Sequence, residues 1–577
     1  MPKGQSSKIV FKQDQRNQYL LLPLDLNDMI PPDDMVRLVD QLINELDISL
    51  IVSTYNGGGT SVYHPAMLLK VYIYSYLNKI YTGRKIEEAL KSNIKWMWIS
   101  GKQQPDFRTL NNFRSSRMLG LMQPIFASVA ELLIEKGYVS ASILFIDGSK
   151  FEADANKYSY VWAKNTQRYK EGVKDAVRQL FSEIEEINRK ENEEYGNEQL
   201  AELHNKSDLT SQDIKQLAQQ INVTIQTKFE ANGKLTKSEM KVMRVSDKLK
   251  KNLTPKLEKY EEQEKILGKR GSYSKTDHDG TFHRMKDGRL LPSYNVMTST
   301  SNQFLMNYTI HQNPGDTHLL IDHLLNFKRE QNLLPSNLVG DSAFGSQDNY
   351  TFLEQYGIGN YLKYNTFYRE SKGIKGKYYD KEDFRYEQSE DYYECPSARK
   401  LTFKGTEFDR TNHGYITETK VYECEDCDGC PLSSKCRKGN GNRTLRINKE
   451  LERQRKQARE NLNSFTGKKL RSQRGIDVEP VFGDIKHNMG FRRFHVRGLE
   501  KVDVEFGLVA IAHNIKKMHK MDGKAVGMRL KSPEICLKSG KMAKIDKTVA
   551  STIINYYILL IHIMIKLRLP KNFTLSF

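Results

Sequence analysis

The spacing of apolar positions divides this chain into stretches of different period. In the first third, apolar residues recur every three or four positions, the period of a helix with one buried face. Met35, Leu38, Val39, Leu42, Ile43 and Leu46 make one such stripe, and Asp33 or Asp34 is placed to cap it. A second helix begins at His64-Pro65, where proline suits the first turn, and runs through Leu69, Tyr72, Tyr76 and Ile80. Gly83-Arg84 breaks it, Ile86 to Ile94 forms a third, and Pro105 to Arg114 a fourth with a polar, basic side. From Ile143 the pattern changes. Ile143-Leu144-Phe145-Ile146 and Leu338-Val339-Gly340 read as short buried strands, each ending on an acid, Asp147 or Asp341. Pro292 to Ser299 and Phe304 to His311 read as a strand pair. Asp316 starts a helix through Phe327, Ser346 to Tyr356 forms another, and Gly359 to Leu362 is a last strand. This strand and helix order predicts a layered α/β core.

The core is interrupted twice. From Asn165 to Lys269 the chain is dense in Lys, Glu and Gln and sparse in apolar residues, which predicts long exposed helices, a hairpin or coiled coil. The second interruption, between Asp341 and Glu479, holds five of the six cysteines. Cys424, Cys427, Cys430 and Cys436 follow one another closely, with Cys395 upstream and Lys435, Arg437 and Lys438 around the last. In a cytosolic protein such spacing favours thiolate zinc ligation over disulfides. Zinc takes four ligands in a structural site, so five candidates leave one spare.

The strand-ending acids matter because an α/β fold gathers its site where strands end. A third acid, Glu479, lies at what reads as a helix start. Lys486 follows seven positions later, which would put both on one helical face. An acid that can hold a divalent metal beside a cation that can hold a phosphate suits phosphodiester chemistry. Asp277 and Asp279, in a polar loop, are expected to have local roles.

These residues resemble the DDE transposases of bacterial insertion sequences. The resemblance rests on Phe145-Ile-Asp147-Gly-Ser-Lys150, Val339-Gly-Asp341-Ser-Ala-Phe344-Gly345 and Asp477-Val-Glu479-Pro-Val-Phe-Gly483. It continues through Lys486, Gly490-Phe-Arg-Arg-Phe494, Arg497-Gly-Leu-Glu500 and Ala512-His-Asn514, and runs from roughly Tyr19 to Lys520. It implies an RNase H-like fold in which Asp147, Asp341 and Glu479 hold two catalytic Mg²⁺ ions, or Mn²⁺ in their place, and in which element ends are cut and rejoined. By the same resemblance Lys486 contacts the DNA end. The arginine often found four residues before the glutamate is Gly475 here, with Arg474 adjacent. The family's cysteine-rich insert matches Cys395, Cys427, Cys430 and Cys436 best as zinc ligands, with Cys424 as substitute.

The expected fold is therefore α/β. An all-α N-terminal DNA-binding domain (1–138) precedes an RNase H-like core (139–164, 270–370 and 446–525). A charged helical insertion (165–269) and a cysteine-rich insertion (371–445) interrupt that core, and an atypical tail (526–577) follows it. Arg108 and Arg114 in the first domain, and Arg474, Arg492, Arg493 and Arg497 near the glutamate, are candidate DNA contacts.

A net charge of +19 agrees with a polyanionic partner, although proteins that bind ribosomal RNA or acidic membranes share that balance. Met1 to Gln15 is polar, with no apolar core of a secretory signal, so a cytoplasmic protein is expected, with DNA and a second copy of itself as partners. Val549 to Leu567 is apolar but broken by Asn555, His562 and Lys566; no membrane partner is expected. Two rival readings predict different chemistry: a silent DNA-binding relic binds without cutting, and an RNase H-like nuclease cuts without joining.

Overall fold

The computed structural model describes residues 25–531 except 56–61, 192–194, 196, 314, 375, 412, 438 and 440. The expectations for 1–15 and for the apolar run at 549–567 lie outside these residues. Residues 1–518 form one unit and 519–577 a second, of which only the continuation of helix Leu499–Lys531 is described. Among the described residues, no single helix is long and apolar enough to cross a membrane. The chain is mixed α/β, with a helical N-terminal region followed by sheets and further helices.

The N-terminal helices follow their apolar stripes. In Met35–Glu45 the buried face is Val36, Val39, Leu42 and Ile43, and the Asp34 side chain accepts from the Val36 N–H as N-cap. Pro65–Leu77 begins at its proline. It stops before Lys79, whose backbone turns left-handed, so Gly83 does not break this helix but opens the next, Gly83–Ser92. Ile94–Ile99 and Phe107–Asn112 follow, the latter capped by Asp106 and running into a π turn at Phe113–Arg117.

The central sheet begins with β1 (Ile143–Glu152). A small ribbon of β2 (Tyr160–Trp162) and β3 (Ser272–Ser274) flanks a helical cluster. Then come β4 (Thr281–Arg284), β5 (Leu290–Ser301), β6 (Phe304–His311), β7 (Asn337–Gly340) and β8 (Gly359–Leu362). The order is β4-β5-β1-β7-β8, with β6 also paired to β5. β5 runs antiparallel to β1, whereas β1, β7 and β8 are mutually parallel. β5 and β6 join through Asn302 and Gln303, both at positive φ, a tight hairpin.

Two details differ from expectation. β1 does not end at Asp147 but continues to Glu152, because Gly148 to Glu152 pair with Met297 to Ser293 of β5. Only Ile143 to Phe145 pair with β7, so Asp147 still lies where the parallel half of β1 stops. Asp316 precedes the helix, which spans Leu320–Gln331, rather than starting it.

Residues 163–267 are helical as expected, in Ala163–Glu191, Asn197–His204, Ser211–Asn232, Lys237–Lys248 and Thr254–Leu267. They are not a solvated hairpin. Phe181, Ile184, Leu217, Ile221, Val242 and Leu257 join in a core of their own. The apolar residues are few but keep helical spacing, so several helices bury one stripe each.

A separate five-stranded antiparallel sheet carries the cysteines: β9 (Arg385–Glu387), β10 (Tyr392–Glu394), β11 (Lys400–Arg410), β12 (Ile416–Cys424) and β13 (Thr444–Ile447). Helices Lys449–Asn463 and Phe465–Asp477 then lead to Glu479–Gly483, a π turn at Asp484–Asn488, and helix Leu499–Lys531, which is buried at Val502, Val504, Phe506, Leu508 to Ala512 and Ile515. Asp279 accepts from the Leu499 N–H at 2.9 Å and Asp277 from the Gly498 N–H at 3.2 Å. Those two acids thus serve the entry of the last helix.

Candidate active site

The carboxyl ends of the parallel strands bring Asp147 and Asp341 together around one cation. Asp341 follows β7 directly and caps a short 3₁₀ turn, accepting from the Ala343 N–H at 2.9 Å. Arg474, half-buried on helix Phe465–Asp477, places Nη2 3.3 Å from Asp147 Oδ1 and 3.9 Å from Asp341 Oδ2. Its Nε is buried without a partner. Arg474, expected among the DNA contacts, is therefore turned toward the acids. Burial raises the Asp147 pKa, Arg474 opposes that shift, and the neighbouring Asp341 and Asp316 add to it.

Asp316 is a third acid here that sequence reasoning missed. Asn295, fully buried on β5, donates to its Oδ1 at 2.5 Å. A Cβ built at Gly148 would lie 2.7 Å from that same oxygen, so the glycine after Asp147 admits the Asp316 carboxylate. The only available signal was an acid ahead of a helix in the core, which usually means a cap.

Glu479 stands apart. It is exposed, and its helix is not free at the N-terminus, since the Val478 N–H bonds back to the Arg474 carbonyl. Pro480 interrupts an otherwise continuous helical run because it has no N–H to give the preceding turn. A π turn at Asp484–Asn488 follows, and Lys486 lies within it. The Lys486 ammonium donates to Ser149 Oγ at 2.6 Å and the Lys150 carbonyl at 2.7 Å, and sits 4.3 Å above the Phe151 ring. It is pushed down to about 8 chiefly by burial, with Lys286 and Arg492 adding to this and Asp147 opposing. Lys486 is thus fastened to β1 beside Asp147.

Lys363, immediately after β8, is also in the neighbourhood. Burial first, then Arg474 and Arg471, lowers its pKa, while Asp341 and Glu479 favour its charge. The strand-end logic that picked Asp341 would have found it, had it been applied to cations.

The remaining candidates separate by exposure. Arg108 is exposed, over the Phe107 ring. Arg492, Arg493 and Arg497 are exposed too. Arg493 and Arg497 pair with Asp154 at 2.9 and 3.0 Å, and Arg492 bonds the Lys486 carbonyl and His487. Arg114 is a correction: it is buried and paired with Glu505 at 3.3 Å, with Tyr76 and the Tyr81 carbonyl as further partners. A guanidinium so enclosed cannot reach a phosphate.

The five cysteines at 395, 424, 427, 430 and 436 line one cavity of about 20 Å³, and all are unbridged. The sulfurs of Cys395 and Cys427 accept the N–H groups of Arg399 and Arg443, each at 3.3 Å, and Cys430 Sγ lies 3.3 Å from Ser397 Oγ. Cys424 instead donates its S–H to the Asp426 carbonyl at 3.4 Å. Its thiol is pushed up to about 12 by burial, and next by Cys427.

Among the described residues, no group of three or more His, Cys, Asp or Glu is drawn tightly enough to hold a metal ion. The chemistry of the two donor sets is nonetheless distinct. Carboxylate oxygens around a cation already in place suit a hard divalent ion, and sulfurs that accept N–H bonds suit zinc.

Two family models match. Residues 394–519 match "Transposase DDE domain", and residues 24–116 match "Transposase domain (DUF772)". Both describe transposases, which makes this a DNA-cleaving, strand-transferring enzyme. The two matches support a DDE-type transposase of an insertion sequence. No curated protein and no solved structure matches it.

Proposed function

We propose that this transposase cuts and joins element ends at an RNase H-like core formed by β1 and β5 to β8, with Asp147, Asp341 and Glu479 as its three working carboxylates. The observation that carries this reading is the meeting of Asp147 and Asp341 around Arg474 at the carboxyl end of the parallel strands. The 163–267 helices and the cysteine sheet are insertions into that core. Divalent metal ions, Mg²⁺ or Mn²⁺, would be held by these three acids and would supply Lewis acidity for activating a hydroxyl and stabilising the leaving oxygen. Arg474 lies between Asp147 and Asp341 and favours the charged form of Asp147. Glu479, at the exposed helical break, faces the DNA side and completes the set. Asp147, inside β1 where its parallel pairing stops, and Asp341, just past β7, are rigidly placed to hold the ions that would serve in-line attack by water and then by a DNA 3′-hydroxyl.

Cys395, Cys427, Cys430 and Cys436 hold a structural zinc, and Cys424, whose S–H is already donated, is the spare. Arg108, Arg492, Arg493 and Arg497 contact DNA backbone from their exposed positions. The protein works in the cytoplasm, as at least a dimer on paired ends.

The test mixes the purified protein and Mg²⁺ with DNA carrying the flanking sequence of its own gene, comparing wild type with Glu479→Gln. Cleavage at the boundary by wild type, with binding but no cleavage by the variant, supports the reading. Binding without cleavage by either protein overturns it in favour of a silent relic. Cleaved ends never joined to target DNA would make it a nuclease.

A further inference from the structure

Lys486 is fastened to β1, and other cations stand at the ends of β7 and β8. In the parallel ladder Gly340 pairs with Leu362, so the next residues, Asp341 and Lys363, stand side by side where the strands end. The Lys363 N–H bonds the Gly340 carbonyl at 3.3 Å. Gly345 fixes the arrangement from below, since a Cβ there would lie 2.5 Å from the Lys363 carbonyl oxygen. The backbone carrying Lys363 is therefore held against the loop carrying Asp341.

Arg471 lies one turn before Arg474 on helix Phe465–Asp477, with its guanidinium 5.0 Å over the Phe367 ring. The Nε atoms of both arginines are buried and unpartnered. Among the described residues, neither Lys363 nor Arg471 has a carboxylate within ion-pair distance, although Arg474 does. Half-buried cations with unused donors are costly unless an anion completes them. We infer that Lys363 and Arg471 form a seat for a backbone phosphate of the DNA strand brought to Asp341 and Glu479. The seat rests on the proposed assignment of those two acids.

A phosphodiester suits the place for three reasons. Its oxygens can take the arginine fork and the lysine point charge together. Its negative charge offsets the positive charge of Lys363, Arg471 and Arg474, which are gathered at one end of the sheet. Its neighbouring ester bonds are then placed beside carboxylates rather than beside the bases, so the seat holds DNA without reading sequence.

The experiment uses the full chain and duplex DNA with the gene's flanking sequence, in Ca²⁺ so that binding is read without cleavage. Affinity is measured across a salt series for wild type, Lys363→Gln, Arg471→Gln and Arg471→Lys. A set of duplexes carries one neutral methylphosphonate at successive positions around the boundary. The expected result is about tenfold weaker binding by each glutamine variant, with a salt slope smaller by about one. One methylphosphonate position should weaken wild type and cost the glutamine variants nothing further, while Arg471→Lys keeps most of the slope. A wild-type slope in both glutamine variants, or full methylphosphonate loss in them, overturns the seat. Equal melting temperatures exclude misfolding as the cause, and a variant that melts early is replaced by Lys363→Arg, which should keep the interference. Cleavage in Mg²⁺ is scored separately, so a wild type that binds through this phosphate and never cuts would overturn the catalytic reading alone.

Discussion

Arg114 separates a structural cation from a DNA contact, and replacing it gives the sharpest check on the fold. Its side chain is 6 % exposed and its partner Glu505 is fully buried. Burial opposes the arginine's charge, but Tyr76, Tyr72 and Glu505 outweigh it and raise its pKa. Glu505 also accepts from Tyr76 and from the His495 N–H at 2.7 Å, so the pair ties the N-terminal helices to the last helix. Arg114→Met leaves that carboxylate in the core without its cation, which costs about 3–5 kcal/mol. Replacing both members by neutral groups, in Arg114→Met/Glu505→Gln, should recover most of the loss, because the expense lies in the uncompensated charge. Thermal and urea unfolding of the wild type, both single variants and the double variant measure this directly. DNA binding by Arg114→Met, measured below its melting temperature, should keep the wild-type salt slope. An Arg114→Met protein as stable as wild type but with a slope lower by about one would refute the burial argument and restore Arg114 to the DNA surface.

Three further outcomes are expected. Zinc analysis of the purified chain should find one ion per molecule, lost with Cys427→Ser and retained with Cys424→Ser; equal loss in both would show that the spare cysteine is wrongly chosen. Asp503, pushed up to about 6 by burial with Glu330 adding to this and Gln123 opposing, carries a folded pKa above its unfolded one. Its cost to stability is therefore full above about pH 6 and fades as pH falls toward 4, so Asp503→Asn should stabilise the protein by about 1–3 kcal/mol at pH 8 and hardly at all at pH 4. A gain that is equal at both pH values would show that the carboxyl is not perturbed. Gly148→Ala should drive a methyl into the Asp316 carboxylate and reduce cleavage by tenfold or more, by the general sensitivity of such sites to displacements of roughly 1 Å; unchanged cleavage would show that Asp316 yields freely.

What the sequence disclosed was mainly local. Asp341 follows a short apolar run and ends a strand, as its neighbours dictate. The five clustered cysteines share one cavity, as their spacing led one to expect. What stayed hidden depended on partners distant in the chain. Gly148-Ser149-Lys150 has the composition of a turn, yet β5 supplies a pairing edge well over a hundred residues away and the strand goes on. Arg114 sits in a basic helical stretch, and nothing nearby in sequence reveals Glu505.

The same long-range pairing explains the division of labour among the cations. Because β1 continues past Asp147, it presents Ser149 Oγ and the Lys150 carbonyl to Lys486, which lies in the π turn. An ammonium bonded there bears on the position of β1 and on the field at Asp147. Arg474, one residue from the expected arginine position, takes the two aspartates instead. Lys486 and Arg474 are thus occupied by the protein's own acids and carbonyls, whereas among the described residues Lys363 and Arg471, at the same end of the sheet and outside any motif, have no carboxylate within ion-pair distance. Strand contact near Glu479 should consequently be more sensitive to Lys363→Gln than to loss of the Lys486 charge. The reverse order of effects on the salt slope would mean that Lys486 leaves β1 when DNA binds.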